Sequence, residues 1–348
     1  MKVSFIIRTL NEADALTQVL RRINSLEDDF EKEVIIVDSG STDNNLEIAE
    51  AHSVVVINIS PQDWSWGKAL NLGIGRCEGD YIAVISGHCF ITKRDFLVQG
   101  ISLLNKSQMA AVYGRQLPIP YMDPFEEYEL HMCYPNRDLV TMDFRTLIRG
   151  KGVGISNACC ILKKDVWARV KYDETVESLE DAIWAFDVAR TGQELAYSNR
   201  LSVFHSHPFD LEYVYRKWYW RTYESLDFYE NFIKKYVNKF KVILKRALKK
   251  AFLSKILFLK RLNDRNGMRN LLSPYPFIKS IHISTYLNIV KRAQIDAYND
   301  FVNGNKQSYW LIQIPEKVSR YQERFLDVGK YLRPDFSHLE SVESLPYM

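Results

Sequence analysis

Short apolar runs and amphipathic stretches alternate through the first ninety residues. The runs 3–7 (VSFII), 33–37 (EVIIV), 53–59 (SVVVINI) and 80–85 (DYIAVI) are rich in Val and Ile, the pattern of strands buried on both faces. Helical periodicity lies between them at about 12–26, 42–51 and 66–77. This order predicts a parallel sheet with right-handed crossovers. Ligands of such sheets sit at the carboxyl ends of the strands. The residues at those ends are Arg8-Thr9-Leu10-Asn11-Glu12, Asp38-Ser39-Gly40-Ser41 and Ser86-Gly87-His88, mostly polar or small, as a binding rim requires.

A second stretch predicts a helix near 94–106, a strand at 110–115, a strand-like run at 157–167, and a helix at 179–192 with Gly192 placed to end it. The run 201–207 (LSVFHSH) closes the region, and Pro208 marks a boundary. Residues 1–209 therefore read as an α/β domain, and 210–348 as a mainly helical region rich in Tyr, Lys and Arg.

Charge sharpens this division. The net charge is +3, yet residues 234–261 hold eleven Lys/Arg and no Asp/Glu, leaving an acidic body with one basic segment. Apolar residues from Val237 to Phe252 are spaced for one helix face, and Lys241, Lys245 and Lys249 form a row on another. This is the pattern of an interfacial helix on an anionic membrane surface, or of a core helix with a solvated basic face. No nucleic-acid motif accompanies the charge. The five cysteines lack CxxC spacing, which argues against a disulfide framework and a structural zinc site. The first residues reach charged side chains too soon for a secretory signal, so the expected location is cytoplasmic, peripheral at the inner membrane face if 234–261 binds lipid.

Four stretches, in order, resemble the family 2 glycosyltransferases of the GT-A nucleotide-sugar fold, in their bacterial rhamnosyltransferase-like branch. They are VSFIIRTLNEADAL, EVIIVDSGSTDNN, SWGKALNLGIGRCEGDYIAVIS, and SLEDAIWAFDVARTG followed by VFHSH. The resemblance covers roughly residues 1–210. It implies inverting transfer of a sugar from a UDP or dTDP donor to a glycan or polyprenyl-linked acceptor in surface-polysaccharide synthesis. A related nucleotidyltransferase, or an inactive scaffold of the same fold, are the rival readings.

The resemblance makes Asp181 the base that takes the acceptor proton, with Glu180 its neighbour; the bland reading is that acidic residues favour helix N-termini. A helix N-terminus also favours the ionised carboxylate that a base needs. Asp38 could accept a hydrogen bond from N3–H of uracil or thymine, or simply close a turn. Thr9, Asn11 and Glu12 would edge the base and ribose. Asn157 would line the donor-sugar pocket. Where relatives carry Asp-x-Asp, this chain has Ser86 and His88, the first able to bond a ribose hydroxyl and the second a metal. Fewer carboxylates and more imidazole weaken Mg²⁺ and favour Mn²⁺. His205 and His207 could add ligands, because alternate strand residues face the same way. Without a metal, Arg8 and Lys68 are the cations that could balance the leaving diphosphate, Gly67 letting the backbone approach it. The aromatic stripe 212–232 reads mainly as packing against the catalytic domain, with Trp218 and Arg221 kept as acceptor contacts.

Overall fold

The computed structural model describes residues 1–119, 124–207, 210–231, 280–305, 312 and 314–319. The basic segment 234–261 lies outside them. Among the described residues, two compact units are present. One comprises Met1–Pro120 and Glu129–Ser206; the other comprises Tyr121–Tyr128 and the described part of His207–Pro334.

The first unit is a nine-stranded sheet with helices. Its elements begin β1 (Lys2–Thr9), α1 (Ala13–Asn24), β2 (Glu31–Asp38), α2 (Asn45–Ala51), β3 (Val55–Asn58), α3 (Trp66–Arg76) and β4 (Tyr81–Ser86). They continue with β5 (Phe90–Ile91), α4 (Phe96–Leu104), β6 (Met109–Leu117), α5 (Pro124–Cys133, divided between the units, its residues up to Tyr128 belonging to the second), β7 (Val140–Met142) and α6 (Phe144–Ile148). Then come β8 (Cys159–Lys163), α7 (Lys164–Arg169), α8 (Glu180–Arg190) and β9 (Glu194–Phe204). The strand order is β3-β2-β1-β4-β8-β6-β9-β5, with β7 on β9.

The four N-terminal strands pair in parallel, as their apolar runs and intervening helices predict. Beyond β4 the sheet is mixed: β8 runs antiparallel to β4 and β6, while β6 and β9 are parallel. The strand-like run 157–167 is strand only over β8; α7 follows directly, placing Val166 and Trp167 in the core. The main core joins Ile6, Val37 and Val84 of the sheet to Leu70 and Ile74 of α3 and to Trp184 and Val188 of α8. α8 thus buries one side deeply, and truncating Trp184 to Ala would cost about 3–5 kcal/mol.

The second unit pairs α9 (Leu211–Asn231) with α10 (Ser280–Val302). Its aromatic stripe packs within this unit: Tyr215 and Tyr219 share a core with Tyr286, Ile289, Ala293 and Ala297. The phenol groups of Tyr215 and Tyr219 donate to Asp296 (2.7 Å) and Asp300 (2.6 Å). Trp218 packs against the same core, with the Arg221 guanidinium 6.0 Å from its ring. No helix among the described residues is long and apolar enough to cross a membrane.

Candidate active site

The topology gathers the polar strand ends. β1 is flanked by β2 and β4, pairing Thr9 with Asp38 and Arg8 with Ser86, so three strand ends lie side by side. The chain runs from β1 to β2 on one side and reaches β4 on the other, a switch point where open sheets leave a crevice.

On the β2 side the polar groups close on one another. Asp38 is buried; its Oδ1 accepts the backbone N–H groups of Gly40 (2.9 Å) and Ser41 (2.8 Å), and its Oδ2 accepts the Ser41 hydroxyl. Asn11, at φ 54°, accepts the Thr42 N–H at 2.7 Å and donates its own N–H to Ser41. Thr9 accepts from Asn45 (3.0 Å) and donates to Glu12 (3.1 Å). Asp38 is therefore a turn-forming carboxylate, and Thr9 and Asn11 tie the β1 and β2 loops together.

On the β4 side two histidines meet. His88 Nδ1 lies 2.5 Å from Glu12 Oε1. His88 Nε2 lies 2.9 Å from Nε2 of His205, whose Nδ1 is 2.6 Å from Gln116 Oε1 on β6. Gly87 makes this possible: a Cβ there would sit 2.3 Å from the Glu12 carboxylate. His205 and His207 both lie just beyond the end of β9. His207 belongs to the second unit, where its N–H and Nδ1 meet Glu126 at 2.7 and 2.8 Å.

The third group is the start of α8. Leu179, its N-cap, sits in the left-handed region at φ 60°, which is costly for a side chain with a Cβ and turns Glu180 and Asp181 abruptly into the helix. Glu180 is buried, and its Oε1 accepts from Arg8 and from Asn157, each at 3.2 Å. Asn157 accepts in turn from the Tyr172 hydroxyl at 3.1 Å. Among the described residues no cation forms an ion pair with Asp181, and its Oδ1 accepts the Ala182 N–H at 2.7 Å. Burial, reinforced by the charge of Glu180, pushes its carboxyl up to about 7. The helix N-terminus would favour ionisation, but here desolvation wins.

Several candidate residues make contacts that the sequence does not disclose. Lys68 pairs with Asp63 at 3.4 Å on the surface. Gly67 admits the Asp173 carbonyl, which a Cβ would meet at 2.2 Å, rather than a phosphate. Buried Asn157 braces Glu180. Arg8 is committed to Glu180 and to the Trp66 ring, 4.8 Å away. Sequence reasoning missed Trp66, Tyr172 and Gln116. An exposed tryptophan beside a rim strand was a usable signal for the first; nothing local marks the other two.

Residues 4–168 match the family model described as glycosyl transferase family 2. The chain is 27% identical over 191 residues to the O-antigen chain rhamnosyltransferase WbaN of Salmonella anatum, covering 54% of this chain and 60% of that protein. It is 25% identical over 211 residues to the O-antigen chain rhamnosyltransferase RfbN of Salmonella typhimurium, covering 60% of this chain and 67% of that one. The match to WbaN thus spans only about three fifths of that relative's length. Among solved structures, TarS 1–349 of S. aureus superposes with a TM-score of 0.52 at 15% identity, over 87% of this chain and 92% of that one. The mannosyltransferase PcManGT of Pyrobaculum calidifontis, in complex with GDP-Man and Mn²⁺, gives 0.51 at 14% identity, over 84% and 87%. At such identities the structures establish the fold, which is of the GT-A kind, and the sequence match adds a resemblance: residues 4–168, a little under half of the chain, are similar to glycosyl transferase family 2.

Proposed function

We propose that the protein is an inverting glycosyltransferase that moves a hexosyl or deoxyhexosyl group from a UDP- or dTDP-sugar to a lipid-linked or polysaccharide acceptor of a bacterial surface glycan. The observation that carries this reading is Asp181: a carboxyl at the start of α8 whose pKa is raised to about 7, beside a Glu180 already held by Arg8 and Asn157. A base that titrates near neutrality is well matched to drawing a proton from a sugar hydroxyl. In the proposed step Asp181 takes that proton, the oxygen bonds to the anomeric carbon, and the bond to the diphosphate breaks on the opposite face.

The β2-side loops would hold the nucleotide. Asp38 Oδ1 already accepts two backbone N–H groups, but Oδ2 accepts only the Ser41 hydroxyl, so Oδ2 could still accept N3–H of a pyrimidine; Thr9, Asn11 and Ser86 would border the ribose. His88 and His205 are chemically suited to a borderline dication such as Mn²⁺, since each ring has Nδ1 on an oxygen and turns Nε2 towards the other. His207, two residues further along, is kept as a third candidate from its place in the chain. A bound dication would supply positive charge for the leaving diphosphate. Peripheral membrane contact through 234–261 would bring the protein to a polyprenyl-linked acceptor.

The test is a panel of nucleotide sugars read by released nucleoside diphosphate, with wild type and Asp181→Asn. One donor class should be consumed, with inversion at the anomeric carbon, and the variant should bind nucleotide without transferring. A binding-only scaffold is the second reading, favoured by the absence of Asp-x-Asp; saturable nucleotide binding with no donor consumed across acceptors would establish it.

A further inference from the structure

We infer that Glu12 and Gln116 are positioning residues that fix His88 and His205 as a two-nitrogen site for a first-row transition dication, closed to Mg²⁺ and Ca²⁺. The inference rests on the metal part of the reading above.

An ionised carboxylate can only accept, so the 2.5 Å contact of Glu12 with His88 requires N–H at Nδ1. The Gln116 carbonyl oxygen imposes the same on His205 at 2.6 Å. In both neutral rings Nε2 then carries a lone pair, and these two atoms lie 2.9 Å apart. Two lone pairs so placed repel unless a cation sits between them. Nitrogens bound to one ion at about 2.1 Å and at right angles lie roughly 3 Å apart, so the spacing suits a shared ion. An oxygen on each outer nitrogen is also the usual way in which proteins orient metal-binding imidazoles.

Independent features show that Glu12 is built into this place. Thr9 donates to its other oxygen at 3.1 Å, and only glycine at position 87 leaves room for it. Gln116 is buried on β6. Imidazole pairs suit Mn²⁺, Co²⁺ and Zn²⁺ in rising order, whereas Mg²⁺ and Ca²⁺ want oxygen. In the rival arrangement a proton joins the two Nε2 atoms, carried by His88 as an imidazolium paired with Glu12, or by His205 if the Gln116 amide turns round so that its NH₂ donates to Nδ1; either form needs no ion.

The experiment uses the full chain, stripped of metal and titrated separately with Co²⁺, Mn²⁺ and Mg²⁺ by calorimetry, with the visible spectrum of Co²⁺ reporting nitrogen ligation. Wild type should bind Co²⁺ and Mn²⁺ at least ~100-fold tighter than Mg²⁺. Glu12→Leu and Gln116→Leu should each weaken Co²⁺ binding ~10–100-fold with unchanged circular dichroism, and Glu12→Gln and Gln116→Glu, which keep an oxygen acceptor, should largely retain it. If His88→Ala and His205→Ala abolish binding but Glu12→Leu and Gln116→Leu leave it unchanged, the inference is overturned while the metal site stands. If wild type binds no dication, both fall and the proton-joined pair is the correct description; donor consumption dependent on Asp181 would be untouched by that result. Mg²⁺ bound as tightly as Co²⁺ would also overturn it.

Discussion

The two sides of β1 treat their polar groups in opposite ways. On the β2 side, Asp38, Ser41, Asn11, Thr9 and Asn45 hydrogen-bond to one another, and buried Asp38 accepts three hydrogen bonds. On the other side, Asp181 is half-buried beside a buried second carboxylate with its pKa raised, and two imidazoles confront each other through like atoms. A satisfied network contributes stability and shape. Crowding charged and ionisable groups out of water costs stability and stores reactivity, which is where altered pKa values collect in enzymes. Substitutions should therefore have opposite signatures on the two sides.

The largest effect is expected on transfer. Asp181→Asn should lower kcat by about 10²–10⁴-fold, the range for a lost general base, with nucleotide affinity kept. A smaller loss would move the base elsewhere.

Next is the pH profile. Transfer requires Asp181 ionised, so kcat should rise with pH through about 7 and fall roughly tenfold for each unit below it. Stability runs the other way. A raised native pKa means that the folded state holds a proton which the unfolded chain has released, so stability falls as pH rises between the ordinary carboxylate range and about 7. Thermal scans at pH 5 and pH 8 should show the wild type losing stability over this interval relative to Asp181→Asn.

Asp38→Asn sharpens the contrast. It replaces a carboxylate that accepts three hydrogen bonds, and should destabilise the fold by about 1–3 kcal/mol at neutral pH. Nucleotide affinity should fall with it. Unchanged stability would mean that the turn does not depend on the charge.

The smallest effect is expected from Lys68→Ala. Its pair with Asp63 is largely exposed, worth about 0–1 kcal/mol, so stability and transfer should both change little. A tenfold loss of transfer would return Lys68 to the diphosphate.

How far the sequence discloses this contrast depends on range. Strands β1 to β4 are legible because Val and Ile runs buried on both faces leave few alternatives, and the rim follows from their connection. The turn of Asp38 to Ser41 is legible because its hydrogen bonds are local. Asp181 is legible as a residue but not in its ionisation: the helix N-terminus is local and visible, whereas the desolvation that overrides it comes from distant chain. Gln116 reaches His205 across eighty-nine positions, and Gly67 meets Asp173 only after folding. The same limit explains why the sequence suggests a strand beyond Phe204, where the chain has already left the sheet.

The central claim is that Asp181 trades stability for basicity. One preparation of Asp181→Asn at pH 8, compared with wild type for both melting temperature and sugar transfer, tests it directly. A higher melting temperature, on the order of a few degrees, together with abolished transfer is the predicted result. Transfer at the wild-type rate, or a melting temperature that falls, would contradict it.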